Sequence, residues 1–238
     1  MRSHPPAPFA YKVVVTILLV PTLLLTRRHW RGRDNIPSQG GFVAAVNHIS
    51  NLDFLAAVHL LTIWAGPPKV LVKDSLMRLP LLGAILKAMG LIEVKRGTAQ
   101  AGASLTQAAK ALQAGECVMI YPEGTLTHDP DLWPMRGRPG AVRLALQTGA
   151  PLVPIAQWGA HRILPPRSRL PRLWPPKPVN FIVGQPLDLS DFATWEDQAA
   201  AATEGTKRLM ATITAMEAEL RGESPPDEPY NQFAEDPK

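Results

Sequence analysis

The chain has 238 residues and a mass of 25.9 kDa, which allows one domain with a small appendage and excludes two full-sized domains. Apolar residues make up 46% and charged residues 19%, which excludes a disordered chain or a coiled coil, and the 25 prolines exclude a bundle of long uninterrupted helices. The single cysteine, Cys117, excludes an internal disulfide and a cysteine-rich zinc site, so a cytosolic address is the default expectation.

Positive charge is concentrated in two stretches of a chain whose net charge is +5. Residues 1–40 hold six Lys or Arg and one Asp, and residues 161–187 hold five and no acid, whereas residues 222–238 hold five acids and one Lys. Basic stretches bind anionic lipid or nucleic acid, depending on the residues that accompany the charges. Here prolines and membrane-type apolar residues accompany them, which favours lipid and argues against nucleic acid.

The first predicted element is an apolar segment at residues 13–25, interrupted only by two threonines. It is shorter than the roughly 20 residues that cross a bilayer. Arginines and Trp30 follow at once over residues 27–33, where a signal peptide would carry a small-residue cleavage site. A buried core helix is one interpretation. The all-round apolarity and the Trp/Arg cluster favour a shallow or re-entrant membrane anchor, with residues 1–40 as anchor and basic flank on the cytoplasmic side.

Residues 41–221 alternate short β-rich runs with longer helical ones, as in an α/β domain. Glycines at 90, 115 and 149 mark expected helix ends. Predicted strands are 42–46, 70–72, 91–94, 117–121, 152–155 and 179–183, and predicted helices are 52–62, 75–89, 98–114, 139–148 and about 195–220. The last helix carries an apolar stripe typical of a structural packing role. The tail at 222–238 is acidic and Pro-rich, and we expect it to be disordered.

A histidine and an aspartate five residues apart, His48 and Asp53, form the first group of residues that could carry out a reaction. The spacing alone is weak, since His29 and Asp34 repeat it. Only the first pair lies between a buried strand and an apolar helix, where it would be held rigidly. Asp53 would then accept the proton on one imidazole nitrogen and leave the other free as a base for a substrate hydroxyl. A capping aspartate beside an incidental histidine is the alternative.

Two further segments suit a phosphate. In the loop after the strand at 117–121, Gly124 lets the backbone approach a ligand closely, and Thr125 offers a hydroxyl. Arg96, after the strand at 91–94, has the planar fork that binds phosphate at two points, and Lys73 is a second cation at a strand end. The alternatives are a simple strand-ending turn and solvated surface cations.

These features belong to a set of four sequence motifs that follow one another along the chain: NHISNLD at 47–53, GLIEVKR at 90–96, YPEGT at 121–125 and VPI at 153–155. Over about residues 30–185 the chain resembles the glycerolipid acyltransferase family, specifically the 1-acylglycerol-3-phosphate acyltransferases. The resemblance implies an α/β fold with a mixed central sheet flanked by helices. It also implies transfer of an acyl group from a thioester to the free hydroxyl of lysophosphatidate, which gives phosphatidate.

The resemblance further implies a role for each site residue. His48 is the general base and Asp53 orients it, while the acceptor's phosphate is received by Arg96 and the loop of Glu123, Gly124 and Thr125, with Lys73 as a helper. Leu126 departs from the pattern, because an Arg often follows the EGT block. Arg136 and Arg138 are two alternatives for the missing cation.

We expect no metal and no cofactor beyond a coenzyme A or acyl-carrier-protein thioester as co-substrate. The expected partners are lysophosphatidate and an anionic membrane surface, and the expected location is the cytoplasmic face of the cell membrane. One alternative keeps the chemistry but changes the acceptor to another lysophospholipid, a glycolipid or another alcohol. A second alternative is a non-catalytic module that binds anionic lipid through residues 161–177.

Overall fold

The fold is described from a computed structural model that covers residues 9–94, 101–166, 168 and 170–234. Across these residues, seven strands form one sheet in the order β1-β7-β6-β2-β5-β3-β4. The strands are β1 (Thr26–Arg31), β2 (Phe42–Val46), β3 (Lys69–Lys73), β4 (Ile92–Val94), β5 (Cys117–Ile120), β6 (Leu152–Trp158) and β7 (Lys177–Val183). The six strands predicted from the sequence are confirmed, with ends shifted by a few residues, and β1 is an addition.

Helices cover both faces of this sheet. In the described part of the chain they are α1 (Phe9–Leu25), α2 (Asp53–Trp64), α3 (Asp74–Met77), α4 (Pro80–Ala88), α5 (Ala101–Gln113), α6 (Gly140–Thr148), α7 (Ser190–Ala193) and α8 (Gln198–Arg221). The helix predicted at 75–89 is two helices, because Pro80 starts a new one and Leu79 before it is extended (φ −68°, ψ 127°). Gly149 ends α6 with φ 68°, as predicted. The first residues of the helix predicted at 98–114 lie outside the described residues.

Strand direction divides the sheet into two parts. The strands β6, β2, β5, β3 and β4 are mutually parallel, β7 is antiparallel to β6, and β1 is parallel to β7. The carboxyl ends of the five parallel strands therefore share one sheet edge with the amino ends of β7 and β1. We call this edge the His48 rim, because the His48 turn follows β2 there. The predicted mixed sheet flanked by helices is confirmed.

The core consists of two apolar layers, one on each sheet face, and β2 contributes to both. Phe42 and Ala44 pack in the layer beneath α1 and α2, whereas Val43 and Ala45 pack in the layer with α5, α6 and α8. All five β2 side chains are buried, as expected of a central strand with helices on both faces. Cys117, at the start of β5, is also buried. This packing fixes the strand that leads into the His48 turn.

The described side chains of helix α1 pack on the rest of the domain with one face. Tyr11 and Val15 are buried, and the Tyr11 hydroxyl lies 2.6 Å from Thr62 Oγ1 of α2. Phe9, Ile17 and Leu24 are exposed. Within the described residues, no helix is both long and apolar enough to cross a membrane. The basic flank predicted after this segment is in part an ordered element, because residues of β1 pair with β7.

The expectation of a disordered tail is wrong for the described residues up to 234. The carbonyl of Tyr230 accepts a hydrogen bond from Arg136 N at 3.0 Å. Gln232 Nε2 donates to the carbonyls of Glu123 at 3.0 Å and Arg136 at 2.8 Å. The tail lacks the apolar periodicity that predicts packing, but its polar groups pair with a distant loop. Residues 235–238 lie outside the described residues.

Candidate active site

His48 lies in the turn between β2 and α2, and Asp53 is the first residue of α2. His48 Nδ1 is 3.3 Å from Asp53 Oδ2. The same carboxylate oxygen accepts the backbone N–H groups of Ile49 at 2.6 Å and Ser50 at 2.7 Å. Asp53 is fully buried, whereas the His48 side chain is 17% exposed. The turn therefore wraps around one carboxylate and leaves the far side of the imidazole open to a cavity.

The imidazole stacks on the ring of Tyr121, at the end of β5. The ring centroids are 3.9 Å apart and the planes differ by 16°. Burial raises the pKa of the Tyr121 phenol well above its usual range, and among the described residues its hydroxyl has no hydrogen-bond partner. Tyr121 belongs to the YPEGT motif, but its place in the sequence indicates no role for it. Its position indicates that it fixes the plane of the His48 ring.

Glu123 ties the loop after β5 to the His48 turn. It is fully buried, its Oε1 accepts the backbone N–H of His48 at 2.8 Å, and its Oε2 accepts that of Met135 at 3.0 Å. Burial raises the Glu123 pKa to about 8, although the two backbone N–H groups oppose this shift. The expected phosphate contact through the Glu123 side chain is therefore corrected, because both oxygens face backbone donors in the interior.

A second buried network holds the residue before His48. Asn47 Nδ2 donates to Glu217 Oε2 at 2.6 Å and to the carbonyl of Gln157 at 3.0 Å, while Asn47 Oδ1 accepts Gln157 N at 2.8 Å. Glu217 is a fully buried residue of α8, and burial raises its pKa to about 9. Arg221, one turn later, lies 3.4 Å from Glu217. Glu217 is not among the residues predicted for the site, although a glutamate beside the apolar stripe of α8 is a signal in the sequence.

A cavity of about 960 Å³ opens beside the imidazole. Its described lining includes no carboxylate. Apolar side chains make up much of it, including Phe54, Val70, Leu76, Leu86 and Ile120. Three cations, Lys73, Arg138 and Arg143, also line it. A cavity of this size with a few polar groups suits a ligand that joins an anionic head to apolar chains.

The predicted phosphate residues fall into three groups. Gly124, Thr125 and Lys73 line the cavity, and Gly124 has φ 76°, a conformation that other residues adopt at a cost. Glu123 does not line it. Arg96 lies outside the described residues, so its contact with phosphate stays a prediction.

Arg138, one of the two alternatives for the missing cation, also lines the cavity. Its backbone N–H donates to the carbonyl of Pro122 at 2.8 Å, and its guanidinium lies 5.1 Å from the ring centre of Phe233 in the tail. Arg136 is absent from the described lining and lies 3.6 Å from Glu228. Leu126 occupies part of the wall where an arginine is often found in the family. Of the described residues, no three or more of His, Cys, Asp and Glu are grouped to hold a metal.

Comparison with known proteins identifies the family. The family model described as "Acyltransferase" matches residues 27–158, which include β1 to β6, the His48 turn and the Glu123 loop. The chain belongs to the acyltransferase family. The match ends before α8, so Glu217 and the tail that contacts the Glu123 loop lie beyond the part shared with the family model.

Two acyltransferase relatives carry a more specific name. A 1-acyl-sn-glycerol-3-phosphate acyltransferase of Bacillus subtilis is 31% identical over 187 residues, 76% of this chain and 85% of the relative. One from Borreliella burgdorferi is 30% identical over 131 residues, 55% of this chain, and the match spans only half of that relative. The crystal structure of PlsC, the LPA acyltransferase of Thermotoga maritima, shares the fold, with a TM-score of 0.66 and 19% identity over 91% of this chain and 83% of that one.

Proposed function

We propose that this acyltransferase moves a fatty acyl group from a thioester to the free hydroxyl of 1-acylglycerol-3-phosphate and so forms phosphatidate. The observation that carries the proposal is the His48 imidazole, which lies 3.3 Å from Asp53 and faces a cavity lined by apolar and cationic side chains. The relatives from Bacillus and Borreliella are named 1-acyl-sn-glycerol-3-phosphate acyltransferases, which supports the same acceptor.

The chemistry begins with proton transfer to His48. Because Nδ1 faces Asp53, the free Nε2 accepts the proton of the acceptor hydroxyl as its oxygen attacks the thioester carbonyl. Asp53 stabilises the imidazolium that results. The attack forms the C–O bond of the new ester, and collapse of the tetrahedral intermediate restores the carbonyl and breaks the C–S bond while the imidazolium gives its proton to the departing thiolate. The enzyme supplies no covalent nucleophile in this sequence of steps.

The acceptor's phosphate binds at the cationic side chains of the cavity lining. Lys73, Arg138 and Arg143 provide positive charge, and Gly124 and Thr125 allow close approach of the loop. Arg96 is the further predicted contact. The acyl chains of donor and acceptor lie along apolar lining residues such as Phe54 and Leu86.

The enzyme works at the cytoplasmic face of the cell membrane, with α1 as its anchor. Phe9, Ile17 and Leu24 form an exposed apolar face on a helix whose other face packs on the body. Such a helix lies in the interfacial plane and buries its apolar face about 5–10 Å into the lipid. The arginines that follow it match anionic headgroups. An acyl chain then reaches the cavity without crossing water.

The deciding experiment is an acyl-transfer assay on the purified chain with lysophosphatidate and thioesters of coenzyme A and of acyl carrier protein. Phosphatidate and free thiol should form in equal amounts. His48→Ala should lower kcat by about 10²–10⁴-fold. His29→Ala is the matched control, because His29 belongs to the other His/Asp pair and is exposed on β1. Full activity of His48→Ala would contradict the proposal and favour a non-catalytic lipid-binding module.

Leu126 gives a specific reason to consider a second class of acceptor. Leu126 lines the cavity where a cation often stands in the family, so the phosphate site lacks that contact. The same chemistry on another lysophospholipid, a glycolipid or another alcohol is the alternative. Competition between lysophosphatidate and lysophosphatidylglycerol in one assay separates the two, since the main proposal requires a higher kcat/KM for lysophosphatidate.

A further inference from the structure

The connection from β6 to β7 exposes large apolar side chains in a segment rich in positive charge. Leu170 is 80% exposed and Trp174 is 83% exposed, with Leu173 partly exposed between them. The stretch 161–187 holds five Lys or Arg and no acid. Exposed tryptophan and leucine beside cations are typical of surfaces that meet membranes or other proteins. We call the described residues of this segment, 164–166, 168 and 170–176, the rim loop.

The rim loop rejoins the sheet, at the start of β7, next to the end of α1. Lys177, the first residue of β7, pairs with Thr26, the first residue of β1, and α1 ends at Leu25 immediately before it. The loop and the exposed apolar helix therefore reach the sheet at neighbouring strand ends. On its other side the loop contacts the His48 turn, because Ser50 Oγ donates to the carbonyl of Leu164 at 2.7 Å. One edge of the sheet carries the helix, the loop and the imidazole.

Hydrogen bonds hold the rim loop in shape. Arg172 N donates to the carbonyl of Ile163 at 2.6 Å. Lys177 Nζ donates to the carbonyls of Arg172 and Pro175, each at 2.8 Å. These contacts leave the Leu170 and Trp174 side chains outside the core rather than folded onto it. A surface fixed in this way presents its apolar groups without an ordering step at the time of binding.

We propose that the rim loop is a second membrane-binding element: Leu170 and Trp174 insert among the headgroups of an anionic bilayer, while Arg172 of the loop and Arg162, two residues before it, contact lipid phosphates. This inference rests on the proposed membrane-associated function. The positive charge of the loop complements anionic lipid, and the loop ends beside the strand that follows α1. Two attachment points, helix and loop, fix the orientation of the His48 rim toward the lipid.

Vesicle binding of the full chain tests the loop directly. With vesicles of phosphatidylglycerol and phosphatidylcholine, the double variant Leu170→Ser/Trp174→Ser should bind about tenfold more weakly than the wild type. Trp195→Ser is the control, because Trp195 is 40% exposed and lies between β7 and α8. That connection is at the opposite sheet edge, where Leu187 N donates to the carbonyl of Leu152 at the start of β6. Equal vesicle affinity of wild type and double variant would overturn the proposal.

Activity on a short-chain, water-soluble lysophosphatidate separates this test from the proposed function. The double variant should keep the wild-type kcat/KM on that substrate while it loses vesicle affinity. Absence of transfer in the wild type would contradict the proposed function and leave the binding result standing. Unchanged vesicle affinity with a raised KM for an acyl-carrier-protein thioester would assign the loop to the carrier protein and overturn the membrane proposal.

A labelled cysteine tests the insertion even where the double variant fails to fold. The chain's single cysteine is buried, so a thiol-reactive, environment-sensitive dye reports on an introduced surface cysteine. Leu170→Cys carrying the dye should shift its emission to shorter wavelength when vesicles are added. Trp195→Cys carrying the same dye should not shift. An unshifted spectrum at position 170 in vesicle-bound protein would overturn the proposal.

Discussion

The Glu123 side chain holds His48 by its main chain and not by its imidazole: Glu123 Oε1 accepts the His48 N–H at 2.8 Å. The other carboxylate oxygen accepts Met135 N at 3.0 Å, so one buried side chain joins three separate segments. The imidazole thus keeps its place in the cavity wall because a residue of a different motif holds its main chain.

Glu123→Gln should lower kcat and leave the KM for lysophosphatidate within about twofold, because the side chain positions His48 and does not contact phosphate. The amide keeps one acceptor and turns its NH₂ toward one of the two backbone donors. We expect a loss of about 1–3 kcal/mol in the free energy of unfolding. Steady-state kinetics and urea unfolding measure both quantities. A large rise in KM with kcat unchanged would instead show direct contact with the acceptor.

Tyr121 offers a matched pair of substitutions. Tyr121→Phe removes a buried hydroxyl for which the described residues provide no partner but keeps the ring stacked on His48, so kcat and the free energy of unfolding should change little. Tyr121→Leu removes the stacked ring and should lower kcat by about tenfold or more. Equal losses of activity in both variants would refute the role of the ring in orienting His48.

Arg138→Ala should raise the KM for lysophosphatidate by about tenfold or more, because it removes a cation from the cavity wall. Arg136→Ala is the matched control, since Arg136 is half-exposed, pairs with Glu228 and is not among the lining residues. A phosphate-free acceptor such as monoacylglycerol should not distinguish Arg138→Ala from the wild type. A larger rise in the KM for lysophosphatidate in Arg136→Ala than in Arg138→Ala would show that Arg136 replaces the arginine often found in the family where Leu126 stands.

Buried Glu217 should make the protein less stable as pH rises. Its pKa is about 9 in the folded state, mainly because of burial, and near the usual 4.5 when unfolded. The folded state therefore binds more protons than the unfolded state between these two pH values. The stabilising contribution of Glu217 is fully present below about pH 4.5 and is lost as the pH rises through 9. The slope is at most about 1.4 kcal/mol per pH unit for one group.

The variant Glu217→Gln isolates that contribution. Its free energy of unfolding, measured by urea titration at several pH values, should fall less steeply than that of the wild type above pH 5. The remaining slope belongs in part to Glu123, whose pKa is raised in the same direction. Identical slopes in wild type and variant would mean that Glu217 does not titrate in this range.

Gln232→Ala should loosen the loop after β5, because it removes two hydrogen bonds to the carbonyls of Glu123 and Arg136. We expect a loss of about 1–2 kcal/mol in the free energy of unfolding and a lower kcat. Asn231→Ala in the same tail is a comparison variant that leaves both bonds in place. An unchanged kcat and stability in Gln232→Ala would show that the tail contact is dispensable.

The sequence predicted the parts of the fold that local pattern controls. The apolar run of β2, the glycine that ends α6 and the His48 turn before α2 all follow from neighbouring residues. Strand β1 was not recognisable, because only Thr26 of its side chains is buried and the remainder are polar, aromatic or basic. Its pairing with β7, about 150 residues later, is a tertiary effect without a local signal.

The same distinction applies to the site. The spacing of His48 and Asp53 indicated their pairing because both lie within one turn. Glu123 was assigned to phosphate because its partners, the backbone of His48 and Met135, are distant in the sequence and invisible to motif spacing. Asn47 and Glu217 are 170 residues apart, so their contact depended on where α8 packs.

The proposed reaction releases a free thiol, and the buried position of Cys117 bears on what that thiol can do. Burial raises the pKa of the Cys117 thiol and keeps it out of solvent, which disfavours the thiolate that exchange chemistry requires. A thiol released from the proposed donor would therefore find no accessible sulfur on this chain with which to form a mixed disulfide. Under that proposal, activity should not depend on the ratio of oxidised to reduced glutathione.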